Sequence, residues 1–272
     1  MKIIDCFTFY NELDLLNYRL NILKDVVDYV VIVESTHTFI GNEKRLYFDE
    51  LKSQNPQYND TRIIHVIVDD FPYKAPNIQL YCGGQQWDNE YFQRNCILRG
   101  IQQIPNLSDE DAIIVSDLDE IPDPRTLQKI KNGELIITLN SLEMKMYYYN
   151  LNTTMVRYWS LGFITKYGIL KKISMKLNCI RSNTSNLPTI HNGGWHMSYF
   201  GDIKHIQNKL KEFSHVEYSG DEYTNEEFIK YKVNRSESLF DTDSLSRQSI
   251  KDDDYLPVDY EKYLSMYVAC WD

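Results

Sequence analysis

Ser116, Asp117, Asp119 and Glu120 arrive together directly after the apolar run 112–115, in the string DAIIVSDLDEIPDP. An apolar run closed off by Pro122 and Pro124 reads as a strand that ends where the acids begin. Open α/β sheets bind ligands outside the carboxyl ends of their strands, so these acids emerge where a ligand would sit. Asp117 and Asp119 are two residues apart, which in an extended chain puts both on one face while Leu118 returns to the core. Carboxylates that close repel unless a positive charge lies between them or one is protonated. A hard divalent cation, Mn²⁺ or Mg²⁺, meets that need, because such ions are held by one or two carboxylates together with substrate phosphates. The ligand implied is a metal diphosphate.

Other polar residues fall at the same kind of place. Asn11 and Glu12 stand at the strand-to-helix junction of TFYNELDLL, where free backbone N–H groups can hold part of a nucleotide. Glu34, in VIVESTHTFIG, follows a second apolar run, where an acid can accept hydrogen bonds from a ribose or a base. In NEYFQRNCILRGI, Arg94 and Asn95 sit early in a helical pattern, the arginine suited to a diphosphate and the asparagine to a base or sugar hydroxyl.

The elements that must position these residues follow from periodicity. Residues 3–9, 29–33, 63–68 and 112–115 read as strands, with helical patterns through Leu13, Leu16, Leu20 and Leu23 and through residues 91–104. Strands apolar on both faces and separated by helices belong to a covered, mostly parallel sheet of Rossmann-like layout. After residue 135 the pattern turns β-rich, at 135–139, 142–151, 158–170 and 194–199. A helix is expected at 203–213, capped by Asp202. The expectation is a single α/β domain over residues 1–272, with a nucleotide-binding half at 1–134 and a mixed acceptor-side half at 135–272.

Composition narrows the function further. The 272 residues carry 29 Lys+Arg against 39 Asp+Glu, a net charge of −10, which argues against a nucleic-acid partner. At 43% hydrophobic and 25% charged, the chain is an ordinary globular one. Cys6, Cys82, Cys96, Cys179 and Cys270 are scattered without any C-x-x-C pair, and read as reduced thiols. The start is too short and interrupted for a signal peptide, and no apolar run approaches about 18 residues, so no integral membrane segment and a cytoplasmic location are expected. The acidic run 252–254 reads as a solvated loop.

Taken in order, CFTFYNELDLLNYRLNIL, VVIVESTHTFIGNEKRLYF, the QRN segment, SDLDEIP and GGWHMSY resemble glycosyltransferase family 17 over residues 3–217. The resemblance implies a GT-A fold, a UDP-linked sugar donor such as UDP-N-acetylglucosamine, an inverting mechanism, a divalent metal and a glycan or glycoprotein acceptor. It implies that Asp117 and Asp119 form a D-x-D metal motif and that Asn11, Glu12, Glu34, Arg94 and Asn95 line the nucleotide pocket. It also points to a late histidine as a further metal ligand: His196, after Gly193, Gly194 and Trp195, with His215 beside Glu217 as the rival. The animal members of the family carry an anchor and stem that these residues lack, and the second half matches less well.

Asp119 and Glu120 are the expected catalytic carboxylates. The base that deprotonates the acceptor stays open among Glu120, Glu143, Asp202 and Glu217, since Glu120 shares the strand parity of Leu118 and so points away from the metal. The aromatic string 146–152, with Trp159, reads either as a sugar platform or as filling of a β-rich layer. Two rival functions are a D-x-D phosphatase, whose motif belongs on an early strand, and a sugar-nucleotide or carbohydrate-binding module without catalysis.

Overall fold

The structure, a computed structural model, describes residues 1–173, 176–240 and 243–269. In the first half the chain runs β1 (Ile3–Phe9), α1 (Leu13–Leu23), β2 (Tyr29–Ser35), α2 (Tyr47–Gln54), β3 (Ile63–Val68), α3 (Gln85–Asn95), α4 (Ile97–Ile101) and β4 (Ala112–Asp117). It continues through β5 (Glu120–Pro122), α5 (Pro124–Lys131), β6 (Leu139–Tyr148), β7 (Asn150–Met155), β8 (Phe163–Lys166), α6 (Tyr167–Lys172), α7 (Leu177–Arg181), β9 (Thr189–Ser198), α8 (Ile203–Glu212) and β10 (Leu245–Arg247).

Among the described residues the strands form one ten-stranded sheet, eight of them in the order β10-β7-β6-β8-β4-β1-β2-β3, with β9 pairing β6 and β5 off that path. Strands β4, β1, β2 and β3 are mutually parallel, β8 joins β4 antiparallel, and β6, β7 and β10 extend that edge antiparallel. Both faces of the parallel part are apolar because both are covered. On β1, Ile3, Phe7 and Phe9 pack with Leu15, Leu16 and Phe48, while Ile4 and Cys6 pack with Ile97 and Ile101. The expected mixed α/β layout is therefore present, with its parallel half first.

Several boundaries differ from those expected. Strand β4 runs on to Asp117, and Pro122 is the last residue of a separate short strand, β5, rather than the stop of β4. The helix expected at 91–104 begins at Gln85 and breaks at Cys96, so Arg94 and Asn95 close α3 instead of opening a helix. Residues 135–138 are not a strand, and Tyr167–Lys172 is helical. By contrast, α8 matches, with the Asp202 carboxylate accepting from the His205 backbone N–H.

Two features of the second half shape the site. Strand β9 lies between β6 and β5, with His196 opposite Glu120 and Gly194 opposite Pro122. Gly194 has φ +151, and a Cβ there would sit 2.1 Å from the Ile121 carbonyl oxygen, so this pairing requires glycine. Tyr147, Tyr148 and Tyr149 are buried and fill the layer, whereas Trp159, read together with them, reaches the cavity at the strand ends.

The C-terminal segment straps the molecule. The hydroxyl of Tyr147 and the ammonium of Lys145 donate to Asp253, which is buried and not the solvated acid expected. Trp195 Nε1 donates to the Tyr255 carbonyl, Tyr18 to the Val258 carbonyl and Tyr267 to Asp14. Cys6, Cys82, Cys96 and Cys179 are free thiols, and Cys270 lies outside the described residues. Among the described residues no helix is long and apolar enough to cross a membrane.

Candidate active site

A cavity of about 380 Å³ opens at the carboxyl ends of β1, β2 and β4, where an open α/β sheet binds ligands. Its floor is the turn between β4 and β5, and that turn is fixed from beneath by Arg19 of α1. The guanidinium takes the Asp5 carboxylate with a fork at 2.6 and 2.8 Å and donates to the Ser116 hydroxyl at 2.8 Å. Its remaining nitrogen reaches the carbonyls of Asp117, Leu118 and Glu120 at 2.8, 3.0 and 2.9 Å. Arg19 is fully buried, so this is a charge enclosed with all its donors satisfied.

The turn changes the parity that an extended chain would impose, so Asp117, Asp119 and Glu120 all face the cavity. Asp117 pairs with Arg181 at 2.7 Å and with Arg94 at 3.1 Å. Burial acts to raise its pKa, but Arg181 and then Arg94 outweigh that and hold it at about 2. Asp119 pairs with Lys209 of α8 at 2.8 Å and faces His196 Nε2 at 3.6 Å. Against the opposing effect of burial, Lys209 and His196 keep the Asp119 carboxyl far below the usual range, and Asp119 with Glu12 raises the Lys209 ammonium. Six carboxylates and four lysines or arginines line the cavity, an excess of acid suited to a cation.

Glu120 is not placed to act as a base. Arg181 donates to its two oxygens at 2.8 and 2.6 Å, Trp159 Nε1 at 2.5 Å and the Asp117 backbone N–H at 3.0 Å. Four donors on a carboxylate 1% exposed make it the anchor of the Arg181 guanidinium. The rival bases are also committed: Glu143 to His191 at 2.8 Å, Asp202 to the α8 cap and Glu217 to His215 at 2.7 Å.

The other expected residues divide. Glu12 and Arg94 line the cavity. Asn11 does not; its backbone N–H donates to Glu12. Glu34 is fully buried inside the extended β2, accepting from Phe48 N at the start of α2, from Lys44 at 3.4 Å and from His65 at 3.0 Å. It serves α2 rather than a ribose. Asn95 accepts from the Leu177 backbone N–H and so holds the start of α7, the helix that carries Arg181. His196 is at the cavity with its ring 4.6 Å from that of Trp159, while His215 packs on Trp87 at the rim.

Arg19, Arg181 and Lys209 have no counterpart in the sequence reading. Each comes from a helix whose local pattern does not single it out, and each reaches the turn between β4 and β5 through tertiary packing.

A parallel β/α half ending in a cleft of acids and cations, continued by an antiparallel half that closes the cleft, is a fold of GT-A type. The chain belongs to glycosyltransferase family 17, whose sequence model matches residues 1–245. Over 125 residues it is 31% identical to the β-1,4-mannosyl-glycoprotein 4-β-N-acetylglucosaminyltransferases of Rattus norvegicus and Homo sapiens. That stretch covers 44% of this chain and 22% of each relative. Among solved structures it is similar to residues 1–349 of S. aureus TarS, with TM-score 0.40 and 13% identity over 86% of this chain and 74% of that one. A glucosyl-3-phosphoglycerate synthase of Mycobacterium tuberculosis, in complex with Mn²⁺, UDP and phosphoglyceric acid, gives TM-score 0.36 and 12% identity over 75% of this chain and 73% of that one.

Proposed function

We propose that the protein is an inverting, divalent-cation-dependent transferase that moves N-acetylglucosamine from UDP-N-acetylglucosamine to a hydroxyl of a glycan or glycoprotein. The observation that carries this reading is the convergence of Asp117, Asp119, Arg94, Arg181 and Lys209 on one cavity at the ends of parallel strands, in a chain of this family.

The donor set fits a cation shared between chain and substrate. Among the described residues no group of three or more His, Cys, Asp or Glu could hold a metal by itself. Asp119 Oδ1 and His196 Nε2, 3.6 Å apart, are spaced as two ligands of one ion, and Mn²⁺ or Mg²⁺ commonly completes its shell with water and substrate phosphates. Asp119 and His196 would therefore hold the ion, while Asp117, with its oxygens already on two guanidinium groups, stands behind them as the residue that fixes those groups. When bound, the ion supplies neutralising charge for the diphosphate.

The chain's own residues meet the leaving group and the transferred sugar. As the bond to the anomeric carbon breaks, negative charge gathers on the leaving diphosphate. Arg94 and Arg181 face it already oriented by Asp117, Glu90, Asn178 and Glu120, so no reorganisation accompanies the reaction. Trp159, with its indole N–H fixed by Glu120, offers an apolar face to the transferred sugar.

The test is thermal denaturation with nucleotide sugars, with and without Mn²⁺. A ligand at a hundred times its dissociation constant adds about 2.7 kcal/mol. UDP-N-acetylglucosamine is expected to raise the melting temperature with Mn²⁺ and not without it, and Asp119→Ala to abolish the rise; a metal-independent rise refutes the assignment. The saturated oxygens of Glu120 favour one second reading, a sugar-nucleotide-binding module without catalysis. Release of UDP in the presence of Mn²⁺ and acceptor glycan rules that reading out.

A further inference from the structure

Lys209 occupies an unusual place for a lysine. Its side chain is 22% exposed and inside the cavity, with the ammonium 2.8 Å from Asp119 Oδ2 and 3.9 Å from Glu12 Oε1. The same ammonium lies 5.4 Å from the centre of the Tyr199 ring, an aromatic face that attracts a cation. The other oxygen of Asp119 faces His196. One carboxylate thus offers itself to a lysine on one side and to an imidazole on the other.

We infer that Lys209 is a built-in counter-ion of Asp119 that a divalent cation displaces, the freed ammonium then pairing with the donor's diphosphate. This rests on the proposed nucleotide-sugar reading and concerns the chain's own lysine. A divalent ion drawn to Asp119 and His196 repels an ammonium held on the same carboxylate, because like charges this close disfavour one another. Glu12 and the Tyr199 face give the ammonium somewhere to go without leaving the cavity.

Helix α8 itself is held and need not move. Its Asn208 donates to the Tyr10 hydroxyl at 2.8 Å, and its Glu212 accepts from Asn42 at 3.2 Å. The exchange is therefore a rotation of one flexible four-carbon stem, the kind of adjustment lysine makes more readily than arginine. A consequence is coupled loading: the ion alone binds weakly because it must displace the lysine, and binds more tightly once the diphosphate pairs with the displaced ammonium.

The test measures binding of Mn²⁺ alone, by electron paramagnetic resonance of the free ion, and then of UDP at saturating Mn²⁺, on the full chain. Lys209→Met is expected to tighten Mn²⁺ alone about tenfold and to loosen UDP about tenfold, opposite signs from one substitution. Lys209→Arg, which keeps the charge, should leave Mn²⁺ binding within about threefold of the unaltered protein. Lys209→Gln, which keeps a hydrogen bond but not the charge, gives the same reading should the methionine variant fail to fold. Unchanged or weaker Mn²⁺ binding in the uncharged variants overturns the inference, as does unchanged UDP affinity. If the unaltered protein binds no UDP even with Mn²⁺, the proposed function falls and this inference with it; if it does bind and only the variants disappoint, this inference alone falls.

Discussion

Two carboxylate–cation pairs sit within the same β4–β5 region and differ in nearly every respect. Asp5 and Arg19 lie beneath the turn, fully enclosed, with the guanidinium spending its donors on a carboxylate, a hydroxyl and three carbonyls. Asp119 and Lys209 lie above it, in the cavity, joined by one contact that another cation can replace. The lower pair shapes backbone and has no freedom; the upper pair holds charge ready for exchange. A polar cluster is read as structural or functional less from the residues it contains than from how many of their hydrogen bonds are already spent.

The largest effect should come from the lower pair. Arg19→Met leaves Asp5 buried without its partner and frees three carbonyls, and is expected to cost about 3–5 kcal/mol in urea unfolding. A loss below about 1 kcal/mol would erase the distinction between the pairs. Next, Arg181→Ala should lower turnover about 10²- to 10³-fold while leaving a cooperative melting transition, as removal of a preorganised charge donor does. An equal loss of stability and activity would move Arg181 to the structural side.

Glu34→Gln sharpens the comparison from outside the cavity. Glu34 is spent on Phe48, Lys44 and His65, so this change is expected to cost about 1–3 kcal/mol of stability and to leave UDP affinity within about twofold. The smallest effect is in acid. Asp117 has its pKa depressed to about 2 in the folded chain against about 3.9 unfolded, so its contribution is present above pH 4 and is lost as pH falls through 2. Asp117→Asn should flatten the acid limb of the stability curve between those values by on the order of 1 kcal/mol, read by fluorescence.

The parallel half was largely legible. Strands β1 and β3 have the expected ends, because apolar runs bounded by polar residues allow little choice, and α8 declared itself through its Asp202 cap and apolar stripe. Errors arose where tertiary pairing overrode local pattern. The apolar run of β2 ends before Glu34, yet the strand continues past it because Ile67 and Val68 of β3 remain to be paired. The apolar period places Arg94 early in a helix because Gln85–Asn89 are too polar to mark its true start. The positive charges beside the two acids, Arg94 and Arg181 on Asp117 and Lys209 on Asp119, come from segments far apart in the sequence. No spacing rule links residues 19, 181 and 209; they meet because Gly194 lets β9 approach β5 and because Asn95 holds the start of α7.

The strap formed by residues 253–269 has a practical meaning. The stretch that marks the family stops at residue 245, yet Leu264 completes the main core and the acceptors for Tyr18, Tyr147 and Trp195 lie beyond that point. A recombinant fragment trimmed at the border of recognisable similarity would strip these groups of their partners and open an oily seam along the first helix, inviting aggregation in the expression host. Boundaries for cloning, and placement of an affinity tag, are better drawn from that wrapping tail than from where the likeness to relatives fades.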